Sequence, residues 1–138
     1  MNKILFLKIS LLAGAVFDGL VLFPMLSPEI GGTIFGISNF NPGMDYKYAM
    51  AIAASLMAGW TCLLIWGAMK PIARKSIFLL TVCPVLTGLI LSGIYSVEST
   101  FIPLGSMIPT WIGQSVLVAL YIYSYFLARS IERTGIDP

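Results

Sequence analysis

ISLLAGAVFDGLVLFPML, residues Ile9–Leu26, is an apolar run long enough to cross a bilayer core of about 30 Å as a single helix. One carboxylate, Asp18, stands inside it. Holding a charge at that depth costs at least about 2.5–3.5 kcal/mol, so a chain that keeps one there needs a compensating partner or a use for it. The rest of the sequence reads as a search for that partner.

The composition agrees with a membrane chain. Of 138 residues, 58% are hydrophobic and only 10% charged, and the mean hydropathy is +0.92. A soluble domain carries about 25% charged residues. In lipid the backbone must satisfy its own hydrogen bonds, which leaves helices or a closed barrel. Long unbroken apolar runs without period-2 alternation select helices. The formal charge of +2 points to no nucleic-acid surface. There is no histidine, and Cys62 and Cys83 lie singly in apolar runs with no CxxC pair, so histidine-held haem or zinc and a dithiol relay are not expected. No metal site or cofactor is predicted.

The pattern predicts an all-α, four-span bundle in one domain, with spans at about 4–26, 46–69, 76–97 and 109–128. Lys3 and Lys8 before the first run resemble a secretory signal, with Ala13-Gly14-Ala15 as a cleavage candidate, but the run continues to Leu26 and is expected to stay as an anchor. Ser27-Pro28-Glu29 reads as a stop or a short helix start, with serine as cap and proline in the first turn. Gly31, Gly32, Gly36, Asn39, Asn41, Pro42 and Gly43 then give turn chemistry, interleaved with Ile34, Phe35, Ile37 and Phe40. So apolar a loop, 27–45, is expected to fold back over the end of the bundle. Asp45 is the expected cap of the second span. That span is rich in small residues spaced four apart, which lets helix backbones approach closely. The basic turn Lys70–Lys75 makes spans two and three antiparallel neighbours, and Pro84 should kink the third span.

Charge sets the expected orientation. Seven of the eight Lys and Arg residues, at 3, 8, 70, 74, 75, 129 and 133, fall on one side, and Lys47 alone on the other. The positive-inside rule then puts both termini in the cytoplasm, in a bacterial-type inner membrane. Glu29, Asp45 and Glu98 form an acidic outer rim.

At about 1.5 Å rise per residue, Asp18 lies about 12 Å below the outer end of its span, and Gln114, Ser55 and Ser92 fall near the same layer. Residues three and four apart share a face. Leu11, Gly14, Ala15, Asp18, Leu22 and Met25 form one stripe; Tyr48, Ser55, Ala58 and Cys62 a second; Gly88, Ser92 and Tyr95 a third; Trp111, Gln114, Val118 and Tyr121 a fourth. Turned inward, the four stripes make an outer-half cavity lined by Asp18, Ser55, Ser92 and Gln114 and roofed by Tyr95 and Trp111. Tyr121, Tyr123 and Tyr125 go round the helix and read as interfacial belt residues, with Trp66.

Three functions fit this pattern. The first is binding or transport of a small cationic or amphipathic ligand, with Asp18 as counter-charge and Trp111 and Tyr95 as aromatic walls. A single acid in the first of four spans resembles, in architecture, the small multidrug resistance transporters. This chain departs from them in its length, its long outer loop and its one-sided charge. The second is an accessory subunit whose small-residue stripes pack against another chain or a second copy, with Asp18 as hydrogen-bonded glue to Gln114 or Ser55. The third is a membrane enzyme on a lipid-like substrate, for which no nucleophile, phosphate loop or metal cluster is visible.

Overall fold

Each long apolar run folds as a helix that closes its own backbone hydrogen bonds. The computed structural model of the chain describes residues 2–37 and 39–134. In order these form α1 (Lys3–Leu26), α2 (Pro28–Phe35), α3 (Met44–Met69), α4 (Ser76–Leu80), a π-helical turn (Thr81–Leu86), α5 (Thr87–Glu98) and α6 (Leu104–Arg133). The helices α4 and α5 continue through the π turn as one span. Four helices, Lys3–Leu26, Met44–Met69, Ser76–Glu98 and Leu104–Arg133, are therefore long and apolar enough to cross a membrane. Their outer surface suits hydrocarbon: Val16, Leu56, Leu91, Ile112 and Val116 are all at least 60% exposed.

The starts of two long helices differ from the sequence reading. The second long helix starts at Met44, with Gly43 rather than Asp45 in the cap position; the Asp45 carboxylate lies in the first turn, folded back towards Gly43. The fourth starts at Leu104 rather than near Pro109 and runs on to Arg133. Pro109 lies inside it, five residues after its first residue Leu104, so the lost N–H falls near the helix start. Within the loop 27–45 the short helix start expected at Ser27-Pro28-Glu29 is α2, with Pro28 in its first turn, although Ser27 makes no side-chain cap bond. Its glycines are there for close approach. A Cβ on Gly31 would stand 2.9 Å from the Pro24 carbonyl oxygen, and one on Gly32 2.8 Å from Phe40 Cβ. Phe40 in turn meets Tyr46 and Phe101 edge-on, at 5.2 and 6.2 Å between ring centroids, which ties the loop to the next turn of the chain.

Pro84 deforms the third span as a π turn. Proline has no N–H to offer the preceding turn, the helix widens there, and Thr87 Oγ1 donates to the Val82 carbonyl at 3.0 Å. Thr81, at the start of this turn, accepts from Trp60 Nε1 at 3.3 Å, a tie between the second and third spans.

The packed core lies at the end of the bundle that carries the first residues of α1 and the last of α6. Leu7, Leu11, Ala15, Leu64, Ala68, Ile77, Phe78, Tyr121, Ala128 and Ile131 form it. At its edge Lys75 pairs with Glu132 at 2.7 Å, and Arg74 stacks 3.4 Å above the centroid of the Trp66 ring while donating to the Trp66 carbonyl. The helices α1 and α3 pack most extensively: a Cβ on Gly67 would touch Leu11, and one on Gly14 would touch Leu64. The buried and half-buried residues of α3, among them Ala54, Ala58, Thr61, Leu64 and Ala68, follow one helical stripe towards α1.

That stripe is not the polar one. Of the four stripes expected to turn inward, two do. Leu11, Gly14, Ala15 and Asp18 of α1, and Trp111, Gln114, Val118 and Tyr121 of α6, are buried or half-buried. Tyr48, Ser55 and Cys62 of α3, and Ser92 and Tyr95 of α5, are exposed on the outside. The reason is local satisfaction: Ser55 Oγ donates to the Ile52 carbonyl at 2.7 Å, so the hydroxyl needs no partner helix, and the alanine face wins the close approach.

Candidate site along the seam of the first and last helices

Along the contact of α1 and α6 the polar side chains form a line. At the core end Ser124 Oγ donates to Ser10 Oγ at 3.1 Å, and Ser10 Oγ donates to the Phe6 carbonyl at 2.9 Å; both serines are buried. One turn further along, the Tyr121 hydroxyl is lodged against the backbone of Gly14, where only a residue without a side chain leaves room. Tyr121 is 1% exposed, and Phe78 meets its ring edge-on at 5.5 Å. Asp18 follows four residues after Gly14 on the same face of α1. Because α6 runs antiparallel to α1, the Gly14–Tyr121 contact places Asp18 between the levels of Tyr121 and Gln114. Trp111, three residues before Gln114 on the same face of α6, turns to α5, with its indole nitrogen over Gly93, 2.8 Å from where a Cβ would be.

Four atoms in this line are buried and hydrogen-bonded to no protein group: Asp18 Oδ2, Gln114 Oε1, Trp111 Nε1 and Tyr121 Oη. A buried polar group without a partner costs about 1–3 kcal/mol, and four along one seam are more than packing asks for. They also complement one another. The carboxylate and amide oxygens accept, the indole donates, and the phenol does either. A small cation or a polar hydrogen at this level would find acceptors in Asp18 Oδ2 and Gln114 Oε1.

A level of glycines crosses the bundle near the same depth. Every long helix has a glycine there, Gly19, Gly59, Gly88 and Gly113, and a Cβ built on any of the four meets nothing within 4 Å. The bundle thus has a tightly packed end and a loop end, with this level of glycines, Gly59 among them exposed on the outer face, in between. Glu29, Asp45 and Glu98 all lie at the loop end and are exposed. Glu29 lines two adjacent hollows there, of about 610 and about 570 Å³, together with Phe40 and Asn41.

Of the expected ligand set, Asp18, Trp111 and Gln114 are half-buried with an unpartnered polar atom each, and Ser55, Ser92 and Tyr95 lie exposed on the outer surface. Tyr121, read from the sequence as a belt residue, is instead the largest fully buried side chain, and the Ser10–Ser124 bond was not foreseen at all. The spacing carried a signal for both. Ser10, Gly14 and Asp18 stand four apart, and Trp111, Gln114, Tyr121 and Ser124 keep one helical face. Cys62 and Cys83 are free and exposed. Among the described residues no three His, Cys, Asp or Glu side chains converge as a metal site. No protein family matches the chain, and neither the curated proteins nor the solved structures contain a significant match to it.

Proposed function

We propose that the chain is a multi-pass protein of the cytoplasmic membrane, with both termini in the cytoplasm, that binds or transports a small cationic or amphipathic ligand at Asp18. The observation that carries this reading is the polar line of α1 and α6, with Asp18 at its centre and four buried polar atoms free of protein partners. The lysines and arginines of the four helices, Lys3, Lys8, Lys47, Arg129 and Arg133, all stand near helix ends and none pairs with Asp18, so a cation supplies the counter-charge at its depth. Trp111, three residues before Gln114 on the same face of α6, is the aromatic wall of this reading.

The test uses tetraphenylphosphonium, a permanent amphipathic cation, with protein in lipid nanodiscs. Wild type should retain it, and Asp18→Asn should lose at least about tenfold in affinity, the effect of removing one charged partner from a buried pair. Equal binding by the two proteins refutes the reading. Native mass spectrometry of the same nanodisc samples reports any co-purifying small molecule on the wild type.

A second reading, an accessory subunit or homo-oligomer, is favoured by one observation. Ser55, Gly59 and Cys62 of α3 line up on its outer face, an exposed seam of small residues of the kind that helices use to associate. A stoichiometric partner or a dimer mass after extraction in mild detergent supports it; a bare monomer argues against it.

A further inference from the structure

The loop end holds a second polar feature, away from Asp18. The hollow of about 570 Å³ is lined by Leu26, Ser27, Pro28, Glu29, Phe40, Asn41 and Lys47, and so carries one carboxylate and one ammonium. The two do not bond each other: the ion pair found among the described residues is Lys75–Glu132, at the opposite end. Each is placed to want an external partner. Lys47 lies in the first turn of α3, where the positive end of the helix dipole disfavours a cation and an incoming anion relieves it. Glu29, held in the first turn of α2, is favoured as a carboxylate and presents acceptor oxygens only. Asn41 adds an amide that both donates and accepts.

A ligand that answers both charges is a zwitterion with a phosphate for Lys47 and a protonated primary amine for Glu29 and Asn41. The walls say which molecule carries it. Leu26 lines the hollow and is 64% exposed, and Phe23, one turn below, is 63% exposed on the lipid-facing wall, so a head group seated there lays its acyl chains directly along α1. Tyr46, packed edge-on against Phe40, stands at the same end, as tyrosines do at head-group level. We infer that the hollow between the start of α2 and the start of α3 binds the head group of an aminophospholipid, with phosphate at Lys47 and ammonium at Glu29. The inference uses the membrane placement proposed above and makes no use of the Asp18 site.

The experiment is native mass spectrometry of the whole chain titrated with dioleoyl phosphatidylethanolamine, phosphatidylcholine and phosphatidylglycerol. Wild type should hold phosphatidylethanolamine about tenfold more tightly than phosphatidylcholine, whose quaternary amine cannot donate to Glu29, an interaction of the size of one charge-assisted hydrogen bond. Glu29→Gln should erase that preference and leave phosphatidylglycerol binding unchanged. Lys47→Gln should weaken phosphatidylethanolamine and phosphatidylglycerol alike. Both side chains are exposed, so the variants are expected to fold, with circular dichroism as the control. Equal retention of the three lipids by wild type, or a preference that survives Glu29→Gln, overturns the site. Displacement of the lipid by soluble phosphoethanolamine at matched concentration overturns the lipid assignment in favour of a free zwitterion. Asp18→Asn should keep the preference, which separates this site from the seam.

Discussion

Adding one methyl group at Gly14 tests the tight half of the bundle directly. The new Cβ would stand 2.8 Å from Tyr121 Cζ and closer still to the phenolic oxygen. The ring cannot swing clear, because Tyr121 is 1% exposed and Phe78 packs against it. Overpacking of this kind costs about 1–3 kcal/mol. Gly14→Ala also gains helix propensity, about 0.8–1 kcal/mol. The net expectation is a loss of about 0–2 kcal/mol. Gly19→Ala supplies the control, since its Cβ meets nothing within 4 Å and only the propensity gain remains. Subtracting the two cancels propensity and leaves the clash, so Gly19→Ala should be more stable than Gly14→Ala by about 1–3 kcal/mol. The assay is reversible unfolding in mixed micelles by dodecyl sulfate titration, followed by circular dichroism. Adding Tyr121→Phe to Gly14→Ala removes the nearest clashing atom and should recover part of the loss. Two alanine variants of equal stability would refute the lodging of Tyr121 against α1.

Ser124→Ala removes the bond to Ser10, and since Ser10 keeps the Phe6 carbonyl the cost should be small, about 0.6 kcal/mol in the same titration. A loss of several kcal/mol would mean that the serine pair holds more than one interaction. Glu132→Gln breaks the Lys75 pair, which is half-exposed on the glutamate side, and should cost under about 1 kcal/mol and less still in high salt. Orientation is read by cysteine labelling in a background with Cys62 and Cys83 changed to alanine. Asn41→Cys should react with a membrane-impermeant maleimide in intact cells, and Thr134→Cys only after permeabilisation; the reverse pattern refutes the cytoplasmic termini.

Sequence alone determined what depends on composition and on contacts along one helix. Apolar length gave four helices able to cross a membrane, and the i, i+3, i+4 rule grouped Gly14 with Asp18 and Gln114 with Tyr121 correctly as faces. It could also mark Pro84 as the point of distortion, because a missing N–H is a property of the residue itself. Tertiary structure decided which faces meet. Within lipid both a serine stripe and an alanine stripe can face outward at little cost, since a serine hydroxyl bonds its own helix, as Ser55 does with Ile52. Polarity therefore did not tell inside from outside, and Ser55, Ser92 and Tyr95 went to the surface while α3 turned its alanines to α1. Tyr121 was hidden for a related reason. Its burial depends on a glycine 107 positions earlier in the chain, and only the packing of α1 on α6 brings that gap and that ring together.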